Sequence, residues 1–294
     1  MKTREELEAQ KLQFLEAKKM FAAMPTAGRR LEIPRPGKKS IEAIWYEPKA
    51  ADHPLPVYIY NHGGAWVAGD PIMDDKNCAS MAQRIPAVVI NLNYKKLFEE
   101  PFPYPQQENV DTVKWLKDNA KELHVDPNRI ALGGGSAGGH IAAGAAILLA
   151  AENIKISGQV LEFPFTDFTF QREGMSEEII GLLNQMHDEF FPDLPMADKV
   201  VSPCQASDEA LRNVAPAVII IGTKDPLYTQ GMNYAKRLED AGVKVLVKAY
   251  PGAGHGFMLD GMVEGSKEAL EQKAMADDCE QFKVKILKEM FLGN

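Results

Sequence analysis

Gly134-Gly135-Ser136-Ala137-Gly138 reads G-x-S-x-G. A serine held there, on a sharp turn between a strand and a helix, has its hydroxyl lifted clear of the backbone for nucleophilic attack. The chemistry dictates the glycines. The positions two before and two after the serine approach other backbone too closely to carry side chains, so Gly134 and Gly138 fit the turn. The amide of Ala137 then points at a developing oxyanion, near the positive end of the following helix. Two other readings of the same residues stand beside this one. A glycine-rich turn can hold a purely structural serine. Gly133, Gly135 and Gly138 also satisfy G-x-G-x-x-G, a dinucleotide fingerprint, with Glu152 or Glu162 as the downstream acid.

A serine nucleophile requires oxyanion donors, a base and an acid to orient the base. His62-Gly63-Gly64-Ala65-Trp66 follows an apolar strand. In lipases and esterases an HGG-type loop at this place presents backbone amides to the oxyanion. Gly63 and Gly64 are the candidate donors. Trp66 is expected to floor the cleft with them, and His62 to orient the loop rather than to move protons. After Ser136, the order serine, acid, histidine selects Asp225, in a loop after the strand at 217–222, and His255, in the loop after the strand at 243–250. Both lie at carboxyl ends of strands, the edge at which α/β sheets place their sites. Taken singly, Asp225 also fits an Asx turn beside Pro226, and His255 a polar loop residue. His53 and His124 precede strands at the opposite edge, His140 lies one helical turn past Ser136, and His187 lies in an insertion. No H-E-x-x-H motif or Cys/His cluster calls for a metal.

Elements that could position these residues follow from pattern. Strands are expected at 40–46, 56–61, 87–93, 130–132, 156–163, 217–222 and 243–250. Helices are expected over 1–23, 108–123, 138–151, 230–241 and 266–291. The stretch 26–38 reads as a connection, and 168–203 as a helical insertion. Alternating strands and helices imply a mostly parallel sheet covered on both faces, an α/β fold in one domain spanning 1–294. Residues 1–38 and 168–203 supply material for a cap.

Bulk properties restrict the function class. The net charge of −8 without a basic cluster argues against a nucleic-acid partner. No run of about 18 apolar residues predicts a membrane span. Three widely separated cysteines, Cys78, Cys204 and Cys279, fit free thiols better than a disulfide framework. With a charged N-terminus lacking an apolar signal core, this places the chain in the cytoplasm by expectation.

Taken together, HGGAWVAGD, PFPYPQQENVDTVKWLKDNA, VDPNRIALGGGSAGGHIAA, KDPLYTQGMNYAKRLEDAGVKV and GAGHGF resemble the hormone-sensitive-lipase-like family of α/β-hydrolases, over roughly residues 55–290. The resemblance implies an eight-stranded sheet, a helical cap partly from the N-terminus, and hydrolysis of short-acyl carboxylic esters without a cofactor. It also implies Ser136, Asp225 and His255 as the triad, with Gly63, Gly64 and Ala137 as oxyanion donors. Three departures stand out: Ala65 where the family has a third glycine, Gly135 where it has an acid, and a loose version of its segment at 94–99. The expected activity is that of a serine carboxylesterase on small-molecule esters. An amidase or formamidase with the same triad, and a ligand-binding protein without catalysis, remain as alternatives. The oligomeric state, a homodimer included, is open.

Overall fold

Val57, Ile59, Val88, Ile90 and the run 217–222 are almost wholly apolar and β-branched, the composition of strands buried on both faces. The computed structural model describes residues 4–50, 54–169, 177–191, 193–258 and 267–293. It forms β1 (Arg29–Ile33), β2 (Ile41–Tyr46), β3 (Leu55–Asn61), β4 (Val88–Leu92), β5 (Val125–Gly135), β6 (Gly158–Glu162), β7 (Ala217–Gly222) and β8 (Val245–Tyr250). These make one eight-stranded sheet in the order β1-β2-β4-β3-β5-β6-β7-β8. Pairings β1/β2 and β2/β4 are antiparallel, and all others are parallel.

The helices are α1 (Arg4–Ala23), α2 (Asp75–Arg84), α3 (Tyr104–Asp118), α4 (Ala137–Ala151), α5 (Glu177–Phe190), α6 (Asp208–Leu211), α7 (Tyr228–Asp240) and α8 (Lys267–Leu292). Alternation along β3 sends Val57 and Ile59 into one core with Val110 and Val113 of α3, Ala142 and Ala146 of α4, and Leu238 of α7. Tyr58 enters the opposite core with Met81 of α2 and Leu287 of α8. Each fully buried aliphatic side chain in these layers contributes roughly 1.5–3 kcal/mol. The arrangement is an α/β-hydrolase fold.

Among the described elements, β1, α2 and α6 depart from the sequence expectation. The stretch 26–38 contains β1, whose Ile33 pairs with Ile41. Only Ile33 of that strand is buried, because β1 is the sheet edge and carries Arg29, Arg30 and Glu32. An edge strand protected by charges has no apolar signature to read. Helix α2 has no counterpart among the expected elements. Its buried residues are Cys78, Met81 and Ala82, an i, i+3, i+4 set within a polar decapeptide. Helix α3 also begins four residues before its expected start. His53, Ser266 and residues 170–176 of the insertion lie outside the described residues.

Helix α1 is tied across the sheet edge, and its Phe21 packs against the core that holds Tyr58. Lys18 Nζ donates to Glu42 at 3.3 Å and to Glu99 at 2.7 Å. Phe14 meets Phe98 with ring centroids 6.1 Å apart, and Arg30 donates to the carbonyls of Phe21 and Met24.

Candidate active site

Ser136 joins β5 to α4 with φ 55° and ψ −115°. A non-glycine residue there is strained, and the surroundings must hold it. Ser136 N–H donates to Glu162 O at 2.9 Å, and Ser136 O accepts from His140 N at 3.0 Å. The glycines around it are required by contact. A Cβ on Gly138 would sit 2.7 Å from both Asn61 C and His62 O, and one on Gly134 2.6 Å from Gly138 C. Below the turn, Asn61 and Asn109 exchange amide hydrogen bonds at 2.9 Å, and Asn61 also donates to Gly133 O. This buried lattice fixes the end of β3 against β5 and α3. Gly138→Ala is therefore expected to lower stability by about 1–3 kcal/mol or more, the usual range for forcing atoms into a packed interior. Denaturant unfolding with an unchanged midpoint would refute that reading of the turn.

His255 and Asp225 arrive from two loops that hold each other. Lys224 N donates to Ala253 O, Thr223 N to Tyr250 O, and Gly252 N to Thr223 Oγ1. His255 Nδ1–H donates to Asp225 Oδ2 at 2.9 Å, and Ser136 Oγ–H donates to His255 Nε2 at 3.0 Å. The Asp225 side chain is fully buried, while that of His255 is 37% exposed. Asp225 Oδ1 accepts from Leu227 N at 2.7 Å. The carboxylate thus forms an Asx turn with one oxygen and orients the imidazole with the other. Phe163 packs against the imidazole, ring centroids 5.1 Å apart.

The loop after β3 turns back so that Gly64 O accepts from Val67 N and Ala68 N. Among the described residues, the N–H groups of Gly63, Gly64 and Ala137 have no hydrogen-bond partner. The Cβ direction of Gly63 lies 3.8 Å from Ser136 Cβ. Ala65 and Trp66 both adopt left-handed conformations, φ 49° and 62°. Each costs an L-residue about 1–2 kcal/mol, so an alanine at position 65 carries strain that a glycine would not.

Trp66 is not an open floor. Its side chain is sealed, 3% exposed, among Tyr94, Phe165, Phe168 and Phe191. Its Nε1–H donates to His140 Nδ1 at 3.0 Å. His140 Nε2–H donates in turn to Val201 O at 2.9 Å. Burial pushes the His140 pKa down to about 4, so the ring is neutral and can accept from Trp66. His140 therefore ties the glycine loop, α4 and the return of the 168–203 insertion together. Sequence order excluded it as the base and offered no sign of this role, since its partners are 74 and 61 residues away. His62 is buried, its Nδ1–H donating to Gly63 O at 2.6 Å, and it stacks on Tyr94 at 4.4 Å. Burial holds its pKa well below the usual histidine range.

The Gly135 face shows where an acid is replaced. A Cβ there would lie 3.2 Å from the Phe163 ring and 3.8 Å from Tyr60 OH. On the neighbouring strand, buried Glu162 instead accepts from Lys283 Nζ at 3.1 and 3.2 Å. That ion pair occupies the carboxylate which the dinucleotide reading needs for a ribose, and Glu152 pairs with Lys114. Among the described residues no group of three or more His, Cys, Asp or Glu side chains is placed to hold a metal ion.

Comparison with known proteins bears on the family and the fold. A family profile described as the alpha/beta hydrolase fold matches residues 58–259. An ethyl acetate hydrolase of Pseudomonas putida is 34% identical over 223 residues, 72% of this chain and 69% of that protein. An arylesterase of Saccharolobus solfataricus is 29% identical, covering 71% and 75%. A Pyrobaculum calidifontis esterase structure superposes with a TM-score of 0.77 at 28% identity, covering 96% of this chain and 92% of that one. Profile, relatives and fold together place the chain in the hormone-sensitive-lipase-like family of α/β-hydrolase esterases.

Proposed function

We propose that this protein hydrolyses short-acyl carboxylic esters through an acyl-enzyme on Ser136. The observation that carries the proposal is the unbroken line from Ser136 Oγ through His255 to buried Asp225, with contacts of 3.0 and 2.9 Å. His255 Nε2 takes the hydroxyl proton as Oγ attacks the ester carbonyl carbon. The oxyanion is held by the N–H groups of Gly63, Gly64 and Ala137. Collapse of the tetrahedral intermediate breaks the C–O bond, and His255 returns the proton to the leaving alcohol. Water repeats the sequence on the acyl-enzyme and releases the acid. Asp225 keeps the imidazole in the tautomer that presents a bare Nε2 to Ser136, and it stabilises the imidazolium. Water is the only co-reactant, so the step balances without a cofactor.

In this reading α1 and the described parts of the insertion, 177–191 and 193–203, roof the site. A cavity of about 390 Å³ lies between α1 and residues 67–70, which follow the glycine loop, and is lined by Phe14, Phe21, Val67 and Phe98. Three free, buried thiols fit a cytoplasmic setting. Among the described residues no helix is long and apolar enough to cross a membrane.

The test is an initial-rate series on p-nitrophenyl esters from acetyl to decanoyl, with a matched acetanilide. Highest kcat/KM at the short end is expected. A faster anilide would make the protein an amidase, and no turnover on any substrate would make it a binding protein.

A further inference from the structure

Behind the glycine loop lies a buried charge that the triad does not use. Lys96 is 1% exposed. Its Nζ donates to Tyr94 O at 2.7 Å and to Asn93 Oδ1 at 3.1 Å, and it sits 4.2 Å from the Tyr94 ring centroid. Among the described residues no carboxylate lies within 4.0 Å of it. A buried ammonium is expensive to keep charged, and two neutral acceptors with one aromatic face offset only part of the lost hydration.

The same tyrosine connects this cation to the oxyanion loop. The Tyr94 ring stacks on His62, and its hydroxyl donates to His62 O at 3.0 Å. His62 Nδ1–H donates to Gly63 O, and Leu97 N donates to Trp66 O at 3.0 Å. The segment carrying Lys96 is therefore bonded to both ends of the loop from His62 to Trp66. Positive charge at this depth acts through few polarisable atoms and no solvent, where a charge counts for more than in water.

We propose that Lys96 is a positioning residue of the oxyanion loop: its buried ammonium supplies positive potential beneath Gly63 and Gly64 through Tyr94 and His62, and turnover falls when that charge is lost. The inference rests on the reading of Ser136 as an ester-cleaving nucleophile with Gly63 and Gly64 as its oxyanion donors.

The groups facing Lys96 set the pH at which the charge is lost. Burial is the largest influence and lowers its pKa. Glu99 from its own segment, Asp70 from the turn before α2 and Glu108 from α3 act against that, and Lys18 of α1 acts with it. The balance brings Lys96 down to about 7. His62 beside it is kept neutral by burial and by Lys96 itself. Glu108 is raised to about 7, chiefly by burial, although Arg35, Lys95 and Lys96 oppose the rise. It approaches Lys96 from the α3 side, so its titration must be separated from that of Lys96 by variant.

The experiment measures kcat and KM for p-nitrophenyl acetate from pH 6 to pH 9 in the full chain and in Lys96→Met and Lys96→Arg. The wild type should lose on the order of three- to tenfold in kcat as pH rises through about 7, the size expected of one charge acting through protein interior. Lys96→Met should show the reduced kcat already at pH 6.5, with KM changed less than twofold and without that decline. Lys96→Arg, cationic throughout, should hold the pH 6.5 kcat of the wild type up to pH 9.

Thermal midpoints guard against misfolding. The folded-state pKa of Lys96 lies below its unfolded value, so the unfolded chain binds more protons between about pH 7 and 10.5. The gain in midpoint of Lys96→Met over wild type should therefore be larger at pH 6.5 than at pH 9.5. A Met variant with wild-type kcat at pH 6.5, or one that keeps the decline, overturns the role of Lys96 while leaving the esterase reading intact. Absence of ester turnover in the wild type overturns both.

Discussion

Ser136→Ala is expected to fold as the wild type does and to lose ester turnover by about five to six orders of magnitude, as removal of a triad nucleophile does elsewhere. The geometry explains both halves. Alanine keeps the Cβ and meets the same φ of 55°, so the strain at the elbow is unchanged. The only side-chain bond removed is the one to His255 Nε2, which lies at the partly exposed end of the line. Loss of a bond of this kind changes stability by roughly 0.5–1.5 kcal/mol. Turnover has no such tolerance, because no other described nucleophile bonds to His255. The check is kcat on p-nitrophenyl acetate alongside the thermal midpoint. A variant that keeps both its midpoint and more than a hundredth of wild-type kcat would remove Ser136 from the chemistry.

Asp225→Asn is the second large effect, a loss of about 10⁴ in kcat with little change in stability. Asparagine can still accept from Leu227 N through its Oδ1, so the Asx turn survives. Its amide then faces His255 Nδ1 with an N–H donor where Oδ2 accepted. The imidazole is driven to the other tautomer, with its proton on Nε2 facing Ser136, and it can no longer serve as base. The imidazolium also loses its counter-charge. The prediction separates the two jobs of Asp225, since a residue serving only the turn would show neither loss. A fall in kcat of tenfold or less, with normal unfolding, would contradict the assignment.

Much of this site was legible because its members are marked by local rules. Gly134 and Gly138 flank Ser136 because the backbone of Asn61 and His62 leaves no space for a side chain. Asp225 and His255 follow the apolar runs of β7 and β8, so strand order alone puts them on one edge. Trp66 was misplaced for an equally physical reason. Its position beside the glycines implies proximity to the cleft, but its burial depends on Phe165, Phe168 and Phe191, about a hundred residues later in the chain. The contacts of His140 and Glu162 are likewise set by partners from other elements, and a lone polar residue in an apolar stretch gives no hint of which partner it finds. Strand β1 and helix α2 escaped because an edge strand and a mostly solvated helix bury too little to show a pattern.

The central claim is that Ser136 is the residue acylated during turnover and hence the one an electrophilic phosphonate captures. Incubation with a fluorophosphonate, followed by intact-mass measurement and peptide mapping, tests it directly. The account predicts one adduct per chain on the peptide carrying Ser136, formed in step with loss of esterase activity and absent in Ser136→Ala. An adduct on another residue, or full inactivation without modification of Ser136, would contradict it.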